Sequence, residues 1–196
     1  MKKLSESYYD KSKGYLMKQL RELAPEQYKA FLQFDREAFK PGVLTKKEKE
    51  IIAVAIAHVI ECPYCIDVHT KKAKKQGATL PELTEAVFVV ASLKAGLVIQ
   101  QLLNITDESS NRLKAYSNFS EATLKEGKLN EKLKVIIAIA VSLVINEQKS
   151  IHTHKEYALK LGISQEEISE ALFVTAALKA GGAYGHIIQL IDSYIE

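Results

Sequence analysis

Residues His69–Gly96 read HTKKAKKQGATLPELTEAVFVVASLKAG, and residues His154–Gly181 read HKEYALKLGISQEEISEALFVTAALKAG. Half of the aligned positions are identical, and many of the others are conservative. Gly77 falls on Gly162, Glu85 on Glu170, Phe88 on Phe173 and Lys94 on Lys179. The same shift places Gly42 on Gly127, Leu44 on Leu129 and the run from Ile51 on the run from Ile136. Self-similarity at a fixed period marks one supersecondary unit written twice.

The punctuation of that unit is helical. Thr45 with Glu48 forms a capping-box pattern, in which two orphan amides are satisfied reciprocally, and predicts a helix to about Ile60. Pro63 suits the first turn of the next helix, where a missing N–H costs nothing. That helix is expected to stop at Gly77, the residue best able to take a left-handed conformation. Thr79 with Glu82 opens a long helix through Leu103. In the second copy Asn130 caps one helix, Gly162 ends the next, and Ser164 with Glu167 opens the last, read as running to Leu190. Further helices are expected over about Lys11–Leu23, Pro25–Phe39 and Glu108–Lys125. Nothing alternates with period two, so no strand is expected.

Ala86, Val89, Val90 and Leu93 share one helix face, as do Ala171, Val174, Thr175 and Leu178. One unit cannot bury such a face, whereas two stacked about a pseudo-twofold axis can. The expected fold is therefore an all-α tandem repeat in one compact domain. It comprises N-terminal helices over 1–40, a first repeat over 41–106, and a linker helix with the second repeat over 107–196.

Composition narrows the function. The chain has 196 residues, 47% apolar and 26% charged, which is enough for a sizeable core. The net charge of +3 is spread among interleaved lysines and glutamates, and no basic block alternates with aromatics, so nucleic acid is not an expected partner. The longest apolar runs, Ile51–Ile60 (broken by His58) and Val135–Ile145 (broken only by Ser142), fall short of the ~18 residues of a membrane span, so no membrane association is expected. No apolar signal core follows Met1-Lys2-Lys3-Leu4, which points to a reducing, cytoplasmic setting. There a C-x-x-C pair means redox or metal chemistry, not a structural staple.

The copies differ where chemistry would sit. Cys62 and Cys65 become Glu147 and Ser150, Glu50 becomes Val135, and only His69 keeps its counterpart, His154. Cys62 falls at a helix N-terminus, where the dipole and free amides favour a thiolate. Cys65 lies three residues on, and His69 one turn further along the same face. In a helical hairpin, Glu50 sits ~15 Å down one helix and His69 ~10 Å down the other, so a glutamate side chain can reach and orient the imidazole. Glu61 and Asp67 work against the thiolate by their negative charge. Cys65, nearer His69, is read as the attacker and Cys62 as the more exposed resolving thiol. Helix-terminus electrostatics argue for the reverse order.

Glu50-x11-Cys62-x2-Cys65-x3-His69, followed by Ala73, Gly77, Glu82, Glu85 and Ala86, resembles the alkylhydroperoxidase D-like branch of the carboxymuconolactone decarboxylase family. The likeness covers about Pro25–Gly96 and repeats more weakly over Asn130–Gly181. It implies an all-helical fold, homo-oligomers and thiol-based reduction of peroxides or disulfides. Both cysteines would be redox-active and Glu50 and His69 a proton relay, with a dithiol or thioredoxin-like reductant and no cofactor. Single-unit members often form hexameric rings, so a fused pair implies a homotrimer. Tyr64 stands where the best-known peroxidase of this branch has a histidine.

Three other readings stay open. The first is a lactone decarboxylase of the same family, although true decarboxylases lack the cysteine pair. The second is a zinc-binding or redox-sensing module, with Cys62, Cys65, His69 and either Glu50 or His58 as ligands. The third is a pair of merely buried cysteines. His58 reads as a satisfied core histidine, and His152, His154 and Glu147 as surface residues left by the duplication. His186, after Gly181-Gly182-Ala183-Tyr184-Gly185, is a candidate pocket residue, with small residues that permit close helix packing. Tyr8, Tyr9, Phe31, Phe34 and Phe39 read as core or interface. Glu85 and Glu170, present in both copies, read as structural.

Overall fold

The computed structural model describes residues 11–103, 105 and 110–195. Tyr8, Tyr9 and the start of the expected linker helix lie outside them. The described residues are helical and contain no strand. After a 3-10 helix, Lys11–Lys18, come α1 (Leu20–Leu23), α2 (Pro25–Ala38), α3 (Lys46–Val59), α4 (Pro63–Lys75) and α5 (Leu80–Leu103). Then follow α6 (Asn111–Leu124), α7 (Glu131–Val144), α8 (Gln148–Lys160), α9 (Gln165–Gly185) and α10 (Ile187–Ile195). Two expectations change. The N-terminal helix is a 3-10 segment followed by one α-turn, and the last long helix breaks at His186. Three glycines between Gly181 and Gly185 weaken helix propagation just before that break.

The caps form where the sequence places them. Thr45 and Glu48 complete a capping box, as do Ser164 and Glu167. Thr79 donates its backbone N–H to Glu82 at 2.7 Å, and its hydroxyl accepts from the Glu82 amide at 3.4 Å. Gly77 and Gly162 take positive φ, +82° and +66°, and the next residue's amide reaches back to Ala73 or Ala158 at 3.0 Å. These are Schellman endings.

Helices α3 and α7 form the centre. Ile51–Ala57 and Leu133–Ser142 are buried throughout, and the core is continuous across the repeats. Burying an isoleucine side chain contributes roughly 1.5–3 kcal/mol, so Ile51, Ile52, Ile56, Ile136, Ile137 and Ile139 are a major source of stability. A second small cluster, Leu16, Leu20, Ile188 and Ile191, ties the two chain ends together.

The repeats hold each other reciprocally. Glu170 on α9 accepts from the amides of Val43 and Leu44, both at 3.0 Å, and pairs with the buried Lys49 ammonium at 3.1 Å. Glu85 on α5 accepts from Lys128 and Leu129, at 2.8 and 3.0 Å, and pairs with buried Lys134 at 2.8 Å. Each glutamate thus caps the other repeat's entry loop, the structural role expected of the pair. A Cβ at Gly42 would stand 1.8 Å from Glu170 Oε1, and one at Gly127 would stand 2.7 Å from Glu85 Oε1, which accounts for glycine at both places. Burial pushes the Glu85 carboxyl up, but Lys134 and the Leu129 and Lys128 amides outweigh it and hold the carboxyl down at about 2.

By length and composition, α5 and the α9–α10 stretch could cross a membrane, although α5 packs on α3, α6 and α7. Much of their apolar surface stays outward. Phe88 is 51% exposed, Val98 68%, Phe173 56% and Leu190 66%.

Candidate active site

The turn between α3 and α4 makes the site. Helix α3 ends in a Schellman motif, with the Glu61 amide on the His58 carbonyl at 3.2 Å and the Cys62 amide on Ala57 at 3.1 Å. Glu61 therefore takes the left-handed conformation, φ +54°, without being glycine. Asn146 repeats this in the second copy, φ +55°. Cys62 serves both helices: its amide closes the Schellman motif of α3, and its side chain is the N-cap of α4. The Cys62 sulfur accepts from the Cys65 amide at 3.2 Å, and Pro63 occupies the first helical position.

Cys62 and Cys65 are joined in a disulfide, with their α-carbons 5.2 Å apart. Both are buried, Cys62 at 1% exposure and Cys65 at 3%, so the expectation that Cys62 is the more exposed thiol fails. Helix α9 presses on this corner. A Cβ on Gly182 would come within 2.9 Å of Ile60, and one on Gly185 within 3.0 Å of Tyr64. The small residues there permit close packing, as their composition suggests. His186 is exposed and lines none of the described cavities.

His69 Nδ1 stands 2.8 Å from Glu50 Oε2, with both side chains buried. That hydrogen bond fixes the ring's orientation and leaves Nε2 available for proton transfer. Phe39 stacks on the imidazole, with ring centroids 5.3 Å apart. The sequence marks Phe39 only as a core or interface aromatic, because it lies outside the motif spacing and before α3. The two acids expected to oppose a thiolate are each countered. Glu61 contacts Lys94, which draws its carboxyl below the usual range, and Asp67 pairs with Lys71 at 2.7 Å.

The second copy keeps the frame without the chemistry. Glu147 takes the N-cap position of Cys62 and accepts from the amides of Lys149 and Ser150. His154 Nδ1 donates to the Ser150 carbonyl at 2.8 Å, and burial lowers its pKa. Neither is the simple surface residue expected, since Glu147 is buried and His154 half-buried. His152 is exposed, as expected. His58 Nδ1 meets the Val54 carbonyl at 2.8 Å, a satisfied histidine in a helix. Among the described residues no group of three or more His, Cys, Asp or Glu is arranged to hold a metal ion.

Comparison with known proteins fits this duplicated frame. The sequence model of the carboxymuconolactone decarboxylase family matches residues 25–108 and again 112–192. The chain belongs to the carboxymuconolactone decarboxylase family. Among its relatives, uncharacterized protein 4 of the Paracoccus denitrificans cox locus is 46% identical over 67 residues, 34% of this chain and 60% of that protein. The uncharacterized protein YdfG of Bacillus subtilis is 31% identical over 58 residues, 30% of this chain and 39% of that protein. A crystal structure from Burkholderia xenovorans LB400, described as a candidate γ-carboxymuconolactone decarboxylase subunit, shares the fold. Its TM-score is 0.69 at 19% identity, covering 91% of this chain and 89% of that one.

Proposed function

We propose that this family member is a thiol-dependent peroxidase or disulfide reductase of the alkylhydroperoxidase D-like kind, acting in the cytoplasm. The observation that carries the reading is the Cys62–Cys65 disulfide at the start of α4, one turn before a histidine anchored by a buried carboxylate. In the reduced protein, a thiolate attacks the outer oxygen of a hydroperoxide. The O–O bond breaks, the cysteine becomes a sulfenic acid, and the departing alkoxide takes a proton from His69. Glu50 orients the ring and stabilises its charged form. The second thiol condenses with the sulfenic acid, giving the disulfide and water. An external dithiol then supplies two electrons by exchange, leaving its own disulfide.

The Cys65 amide donating to the Cys62 sulfur favours Cys62 as the stabilised thiolate and leaving group in that exchange. Cys65, one turn before His69, is the attacker of peroxide on a separate ground, that its proton acceptor is the nearer. Mass spectrometry tests the cycle: peroxide should remove two hydrogens from the reduced protein, and a dithiol donor should restore them. Thiols that persist after peroxide treatment would overturn the reading.

A further inference from the structure

A cleft of about 630 Å³ opens between the end of α2, the start of α3 and the second half of α4. That is within the range of small-molecule sites, roughly 300–1,000 Å³. Glu50 is among its lining residues, although it is otherwise buried. The other walls are basic. Arg36, Lys46, Lys72 and Lys75 line the cleft, and among the described residues none of them pairs with a carboxylate. Of the lining acids, Glu37 is taken by Lys40 at 3.7 Å and Glu50 by His69 at 2.8 Å, which leaves Asp35.

Helix electrostatics do not account for this set. Lysines in the last turn of α4 complement that helix's dipole, so Lys72 and Lys75 have a local reason to be there. Lys46 has none, because it is the first residue of α3, where the dipole disfavours a cation. The floor is mixed, with Leu32, Phe39 and Pro41 beside the charges. Lys72 Nζ lies 5.5 Å from the Phe39 ring centre, and His69 stacks on the same ring.

We propose that this cleft binds an organic anion, a carboxylate on a short apolar body, and that its occupancy alters proton transfer at the Glu50–His69 pair. The carboxylate meets Lys46, Lys72 and Lys75, and the apolar body lies on Leu32, Phe39 and Pro41. Drawing Lys72 toward the anion changes the cover that Phe39 gives His69. The rate effect rests on the proposed redox function, whereas binding does not.

Calorimetry on the oxidised protein, with sodium octanoate as probe, tests the binding. One octanoate per chain is expected, with octanol and inorganic phosphate each at least tenfold weaker. The double variant Lys72→Gln/Lys75→Gln, and separately Lys46→Gln on another helix, should weaken octanoate at least tenfold while unfolding cooperatively like wild type. No octanoate heat, equal affinity in both variants, or octanol binding as tightly as octanoate would overturn the proposal. Saturating octanoate should also change the rate of peroxide turnover in wild type and not in the double variant; an unchanged wild-type rate would overturn its second half. A protein that binds octanoate but turns over no peroxide in any condition would sink the redox reading and leave the binding site intact.

Discussion

Glu50 and His69, 19 residues apart on the consecutive helices α3 and α4, meet at 2.8 Å inside the first repeat, while Val135 and His154 hold the same positions in the second without pairing. The frame therefore accepts an apolar residue where Glu50 stands. Replacing Glu50 or His69 by glutamine should leave the fold intact and lower peroxide turnover by about 10²–10⁴-fold, the usual loss of one acid–base group. His154→Gln should change the rate little. Steady-state kinetics beside circular-dichroism melting checks both, and unchanged rates in Glu50→Gln and His69→Gln would remove the pair from the mechanism.

Acid should loosen the joint between the repeats. The Glu85 carboxyl falls from 4.5 to about 2 in the folded chain. A depressed carboxyl stabilises fully above its unfolded pKa, and that contribution is lost as pH falls from about 4.5 through about 2. Glu85→Gln should cost on the order of 2 kcal/mol at neutral pH, since it also leaves buried Lys134 without its carboxylate. Urea melts at several pH values should show the gap to wild type closing across that window. A gap that stays constant down to pH ~2 would contradict the assignment.

Gly42→Ala probes the same joint from the other side. The new methyl group falls on Glu170 Oε1, the end of a flexible side chain, so the carboxylate swings away and does not strain the backbone. The cost is that of the lost bonds to Val43, Leu44 and Lys49, about 1–3 kcal/mol. Denaturant midpoints measure it. A neutral Gly42→Ala would mean that Glu170 is not holding the loop.

Sequence alone revealed the repeat, the caps and the Glu50–His69 approach, because each depends on short-range spacing along helices of fixed rise. It also showed that Glu85 and Glu170 matter, but not that each holds the opposite repeat. Their acceptor loops lie far off in sequence, and nothing local marks them. Glu61 gave no sign of its left-handed φ, since glycine is the usual residue there and the Schellman hydrogen bonds override its preference. Phe39 and the basic cleft escaped for the same reason: Arg36, Lys46 and Lys72 come from three helices and read singly as solvated lysines and arginine. The break at His186 was missed because no proline marks it.

The outward Phe88, Val98, Phe173 and Leu190 require cover. Closed cyclic symmetry is the usual way to supply it, and two fused units per chain fit a ring of three. Light scattering at micromolar concentration should give three times the chain mass of 21.9 kDa, or six times if two rings stack. A single-chain mass would refute the ring.

The redox claim itself meets its most direct test in hydroperoxide consumption with a dithiol donor, comparing wild type with Cys62→Ser and Cys65→Ser. Wild type should turn over continuously. Each serine variant should lose steady-state turnover, because no disulfide can close within the chain. Peroxide left unconsumed by wild type across several dithiol donors, or consumed by both variants as fast as by wild type, would contradict a Cys62–Cys65 redox centre.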